Sequence, residues 1–409
     1  MTHLRNLLIA AFIIFLPIQD LRLRGTFLGM FGSNLSVLPL ACLVVLALGR
    51  WTMQPPWRIS KTALVFFGYA VVINVVSLIR FGTTALGASL ISKTIALAVI
   101  TSLWIFVVFC LDYASVPHFG LYLKLAFLVA VLGVIASDLG PAGLGAAVNN
   151  SILHLTDKPD PRWRGLSSEA GHLSTVAISI GLLAAQFAKR KLAKGFIAAL
   201  SLLIMVVSGS KGGTVTLAMT CLLLAITNRI PRRMVVKASA VMIPLLCFAA
   251  LRLASESSLE VLQEATTITT RSTVAFWGVS SLLANPFGLG FGGYYATLEK
   301  SLPASMDLVS RWAPFPLNFY EVAGYAVSSE NASTKIFFLD LALFLGLPFV
   351  IWLGKVLWQH STRLTIERHA LLLTAFWFVS IAMCSYADAP TAYSSFLVFG
   401  VVISEARKL

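Results

Sequence analysis

Apolar runs of membrane-spanning length recur from one end of this chain to the other, and nothing else narrows its folding choices so far. We place spans at roughly 7–19, 34–49, 62–79, 94–112, 120–137, 173–188, 195–208, 213–228, 235–252, 333–354, 370–386 and 391–404. With 58% of the 409 residues hydrophobic and only 12% charged, too little polar surface remains for soluble domains. The expected fold is an all-α polytopic membrane protein of about 12 transmembrane helices, with residues 1–409 as a single transmembrane domain. Two outer loops, 138–172 and 254–332, interrupt the apolar pattern, and the second is expected to carry short amphipathic helices.

A net charge of +14 would suggest nucleic acid if the chain were soluble. With the N-terminus inside, however, the basic groups fall on the cytoplasmic side, notably Lys189–Lys194, Arg229–Lys237, Arg363, Arg368, Arg407 and Lys408. Against them stand only Asp112, Glu367 and Glu405, while the outer segments are near balance. The excess is the positive-inside rule, which places both termini in the cytoplasm and implies membrane lipid, not nucleic acid, as partner. All five cysteines lie inside proposed spans without metal-ligand spacing, so no metal and no cofactor are expected.

The chemistry gathers in the outer loops. Around Arg162-Trp163-Arg164-Gly165, arginine offers a planar fork for phosphate and Trp163 an apolar face for a sugar ring. Ser167 and Glu169 can cap the helix that follows, and His172 sits at its mouth. Lys211 is the one charge in the small-residue turn Ser208-Gly-Ser-Lys-Gly-Gly213. In the long segment, Ser257–Glu260 resembles a capping box that opens a helix on the membrane surface. Thr273–Ala284 is a second helical run, too short to span and stopped by Pro286. Gly288, Gly290 and Gly293 match a dinucleotide fingerprint, but no strand precedes them and no helix clearly follows, so that reading is rejected. Arg311, Trp312, Glu321 and Glu330-Asn331 complete a segment suited to an oligosaccharide cleft. Asp340, two turns inside the next span, demands a partner.

Four stretches together resemble the bacterial O-antigen polymerase and ligase superfamily, the Wzy-like and WaaL-like enzymes. They are Arg164-Gly165 with Ser-Ser-Glu169, the Ser208–Gly212 turn, Arg271 through Trp277 to Asn285-Pro286-x-Gly288-x-Gly290, and the polar pair before Leu345-Gly346-Leu347. The ligases carry a histidine before the asparagine of that pair. Glu330 stands there instead, which favours a polymerase over a ligase acting on lipid A core.

The resemblance implies inverting glycosyl transfer between undecaprenyl-diphosphate-linked oligosaccharides at the periplasmic face of the bacterial inner membrane. On that footing we take Glu330 as general base and Arg271 as the main diphosphate ligand, with Glu169 orienting the arginines or binding sugar. Arg164, Lys211, Arg311, Asn331, Trp163 and His172 would complete the substrate site, and a chain-length regulator protein would be the protein partner. A lipid-linked oligosaccharide flippase is the rival of another class. It would place ionisable groups near the midplane in two matching halves, whereas here they gather in outer loops. A structural scaffold would tolerate loss of Arg164, Arg271 and Glu330.

Overall fold

The computed structural model describes residues 2–19, 21, 34–48, 61–139, 148, 162–167, 169–226, 258–312, 317–327, 333–386 and 392–409. These are almost entirely helical. The first half comprises α1 (Thr2–Ile14), α2 (Val37–Leu48), α3 (Lys61–Phe81), α4 (Leu90–Ile105), α5 (Phe119–Val134), α6 (Ala170–Gln186), α7 (Lys191–Val207) and α8 (Lys211–Ile226). The second comprises α9 (Ser258–Ala284), α10 (Gly290–Trp312), α11 (Tyr320–Val327), α12 (Phe337–Leu345), α13 (Leu347–Ser361), α14 (Ile366–Ser385) and α15 (Ala392–Ala406). Single π-helical turns extend α4 through Cys110 and α5 through Leu139. A two-residue hairpin, β1 (Thr84–Ala85) with β2 (Ala88–Ser89), links α3 to α4.

Four helical stretches are long and apolar enough to cross a membrane: Leu64–Phe81, Leu90–Cys110, Phe119–Leu139 and Ile366–Ser385, with several shorter apolar helices beside them. On α3, Leu64, Val65, Val72, Val75, Val76 and Ile79 are all exposed. A contiguous apolar face of that kind drives association in water but costs nothing against acyl chains, so the surface fits a membrane protein. The expected span 235–252 lies outside the described residues.

At the centre stands α6, whose side chains are buried almost from end to end and which packs on α5, α7, α8, α14 and α15. Such a position favours small residues. Its serine and threonine hydroxyls are absorbed by the helix's own carbonyls, as where Ser179 Oγ donates to Thr175 O at 2.6 Å. Ser174 and Thr175 both donate to Gly171 O, at 2.8 and 3.0 Å. A helix with its polar groups satisfied this way can sit in the core without unpaired donors.

The long polar segment departs from expectation. The two short runs between Ser258 and Ala284 are one continuous helix, α9, and Pro286 follows its end as predicted. A helix does follow the glycines, because Gly290 opens α10. The glycines nevertheless serve packing. Gly288 (φ +96°) turns the chain where a Cβ would lie 2.6 Å from Gly346 N, so backbone meets backbone. Two of the free amides at the start of α10 are taken by α3: Phe291 N donates to Asn74 Oδ1 at 2.9 Å, and Gly293 N to Ser77 Oγ at 2.7 Å. Those two amides are therefore not open to a phosphate.

The expected span 333–354 is likewise two helices, α12 and α13, broken at Gly346 (φ +84°). The break fits the α9–α10 turn. Leu347 N donates to Pro286 O at 2.8 Å and Leu289 N to Leu343 O at 2.7 Å. The partner that Asp340 required is present too: its Oδ1 accepts from Tyr294 Oη at 3.1 Å and from Thr334 N at 2.9 Å.

Candidate functional site

Asp138, in the π turn that ends α5, accepts from the backbone amides of Arg164 (3.3 Å) and Gly165 (2.8 Å). That clamp fixes the chain entering α6, and Arg164 is buried there. Trp163 is half-buried and packs against the apolar core, so its ring is only partly available to a sugar. Capping of α6 differs from expectation. Glu169 occupies the cap position with extended backbone, but its side chain makes no capping bond and is exposed. The Ser167 hydroxyl is buried and has no hydrogen-bond partner among the described residues. His172, expected at the interface, is buried in the first turn of α6.

The small-residue turn before α8 packs directly on this end of α6. Ser210 accepts from Gly213 N at 3.1 Å, the bond of a serine N-cap, and lies 3.3 Å from Ser174 Oγ. Tyr386, just past α14, lies across both elements. Its hydroxyl is 3.0 Å from Thr175 Oγ1 and 3.4 Å from Ser174 Oγ. Its ring covers Gly212, where a Cβ would sit 3.1 Å from the ring, and Gly171, at 3.6 Å. Lys211 is therefore held between Ser210 and Gly212, both committed to this cluster.

Arg271, half-buried on α9, is close enough for its charge to act on the Tyr386 hydroxyl. Among the described residues, none forms an ion pair or hydrogen bond with the Arg271 side chain. Tyr386 thus ties the Ser208–Gly213 turn to the start of α6, and its hydroxyl lies within electrostatic reach of Arg271. Arg311, in the last turn of α10, is exposed, and no contact links it to this cluster among the described residues. Glu330 and Asn331 lie outside the described residues, as does Asp388.

A second polar knot begins one residue from Arg271. Thr270 Oγ1 donates to Glu321 Oε2 at 3.0 Å, Tyr325 Oη donates to Glu321 Oε1 at 2.5 Å, and Lys335 Nζ stands 3.6 Å from the same Oε1. Lys335 also stands 5.7 Å from the centre of the Tyr325 ring. Its backbone is left-handed (φ +58°), a conformation that persists only when its surroundings hold it. Burial raises the Glu321 pKa, but the Tyr325 hydrogen bond, the Lys335 charge and Thr270 outweigh it, leaving the carboxyl below its usual range. The ion pair ties the first turn of α11 to the residue two before α12.

Tyr386 is the residue sequence reasoning missed as a site component; Glu321 was expected in the oligosaccharide cleft, but not its pairing with Thr270, Tyr325 and Lys335. The helical i, i+4 spacing of Glu321 and Tyr325 carried a weak signal, and Tyr386 carried none.

The lowered pKa has a testable sign. Glu321 contributes stability that is present above the ordinary carboxylate pKa of about 4.3 and is lost as pH falls through the lower folded value. Because the pair is partly exposed, we expect less than about 1 kcal/mol. Thermal unfolding of Glu321→Gln should therefore match wild type near pH 3 and fall slightly below it at pH 7. An equal deficit at both values would deny the ion pair this role.

No family model matches the chain. A similar protein is the "Uncharacterized 49.5 kDa protein in cps region" of Klebsiella pneumoniae, 27% identical over 258 residues. The match covers 61% of this chain and 58% of that protein, so the chain spans less than two thirds of its relative's length.

Proposed function

We propose that this chain is a polysaccharide polymerase of the bacterial inner membrane. It would join undecaprenyl-diphosphate-linked oligosaccharide repeat units by inverting transfer at the periplasmic face. The relative named for a cps region, a capsule gene region, supports a role in polysaccharide synthesis. One observation carries the finer reading: a half-buried arginine without an ionic partner among the described residues lies within electrostatic reach of Tyr386, whose ring covers a lysine-bearing glycine turn. Fixed cationic groups of this kind suit a diphosphate leaving group.

In the proposed reaction the acceptor hydroxyl oxygen attacks the anomeric carbon of the donor from the face opposite the diphosphate. The new C–O bond forms as the bond to the diphosphate oxygen breaks, and its electron pair leaves on the diphosphate. Arg271 and Lys211 neutralise that charge. Arg164, being buried, adds a field less screened by water. Glu330 takes the hydroxyl proton, and the exposed Glu169 binds sugar or orients Arg271.

The test supplies the purified chain in liposomes with a lipid-diphosphate oligosaccharide as the one substrate. A ladder of products is expected, and it should vanish in Glu330→Gln. Loss in Glu169→Gln alone would move the base to that residue. Transfer only after a second acceptor is added would make the chain a ligase, and movement of the lipid across the bilayer without new bonds a flippase.

A further inference from the structure

From Ser272 to Leu298 the chain contains no Asp, Glu, Lys, Arg or His. The structure folds that stretch double, α9 running into the turn at Asn285–Leu289 and α10 running out of it. We infer that this hairpin is re-entrant: its tip lies in the hydrocarbon near the middle of the bilayer and its mouth lies at one membrane face.

The depth follows from α3, a helix long and apolar enough to span. Tyr69 Oη donates to Phe287 O at 3.1 Å, Asn74 takes the amide of Phe291 and Ser77 that of Gly293. The tip is therefore level with the middle of α3, while α10 climbs beside its second half towards Phe81. Two rulers agree with this placement. Glu299, the first charge on α10, stands about 14 Å from Gly290 at 1.5 Å per residue, close to half of a ~30 Å hydrocarbon core. On α9, Arg271 stands about 20 Å from Ala284 by the same rise, just beyond that half-thickness. The break at Gly346 supplies a third indication, because α12 stops and α13 begins where the tip packs.

The surface chemistry says what covers the tip. Leu283 is 74% exposed and Phe287 67%, with Val279 and Phe276 exposed one and two turns above Leu283. Arg80, exposed near the end of α3, donates to Asn285 Oδ1 at 2.9 Å, so the polar side chain of the turn is met by a long basic side chain reaching in from the headgroup end of α3. Side chains from α3 accept from two amides at the start of α10, Leu343 O of α12 accepts from Leu289 N of the turn, and Leu347 N of α13 donates to its Pro286 carbonyl. A bend at membrane depth requires that internal satisfaction. The occupant of this face is lipid hydrocarbon, so Arg271 and the Glu299-Lys300 pair sit at headgroup level.

Site-directed spin labelling of the full chain in phosphatidylcholine liposomes tests this. In a background with all five cysteines replaced by alanine, labels are placed singly at Leu283→Cys, Phe287→Cys and Leu308→Cys. Val72→Cys and Ile79→Cys on α3 serve as depth references. Power saturation with oxygen and with a water-soluble nickel chelate reads the depth of each. We expect Phe287→Cys to read as deep as Val72→Cys and deeper than Ile79→Cys, Leu283→Cys to exclude the chelate, and Leu308→Cys to admit it. Either tip label reading at or outside Ile79→Cys, or admitting the chelate as freely as Leu308→Cys, would overturn the inference. Each tip position checks the other where one variant folds poorly, and no outcome depends on polymer formation.

Discussion

Arg271→Ala is expected to reduce ladder formation from lipid-diphosphate oligosaccharide by a factor of about 10²–10³, the usual cost of removing one fixed charge-stabilising donor. The size follows from where the residue sits. Its guanidinium is half-buried, lies within electrostatic reach of Tyr386 and has no ionic partner among the described residues. For the same reason the substitution breaks no described bond, and thermal unfolding should shift by no more than about 0.5 kcal/mol. Arg271→Lys should recover only part of the activity, because a point charge cannot make the two parallel bonds of a guanidinium to phosphate. A folded Arg271→Ala protein that still makes a wild-type ladder would remove the residue from the proposed chemistry. A Lys variant equal to wild type would reduce its role to charge alone.

How far the fold could be read in advance depended on which physical signal each part carried. The all-α class was legible because long uncharged apolar runs have few stable alternatives, and α3, α5 and α14 lie close to their expected limits. The length of α9 was not. Thr266-Thr-Ile-Thr-Thr270 is β-branched throughout and weakens a helical reading that tertiary packing restores. The break between α12 and α13 was hidden because Leu345-Gly346-Leu347 is as apolar as its flanks, and the cause lies in a turn far away at Gly288.

The site divides along the same line. Arg164, Glu169, Lys211 and Arg271 could be named because charge is rare in this chain and stands out. Tyr386 could not, since its hydroxyl partners lie 211 and 212 residues away and nothing near it in sequence marks them.

The glycine-rich stretch after Asn285-Pro286 is where chemistry and architecture are most easily confused, and one substitution separates them. Gly288→Val should destabilise the protein by about 2–6 kcal/mol, combining overpacking with a strained backbone. The φ of +96° suits glycine, and a Cβ would meet Gly346 N at 2.6 Å and Leu345 C at 2.9 Å. Both are main-chain atoms, so no flexible side chain can move aside. Against a total stability of about 5–15 kcal/mol, the folded yield in detergent and the unfolding temperature should both fall sharply. Phe287→Ala, one residue away with its ring exposed, should leave both unchanged in detergent. Whatever Gly288→Val protein does fold should make polymer at close to the wild-type rate per molecule, the reverse of Arg271→Ala. A Gly288→Val protein with normal stability and no ladder would instead put this turn at the reacting centre, where its amides, now bonded to Asn74 and Ser77, would have to be free.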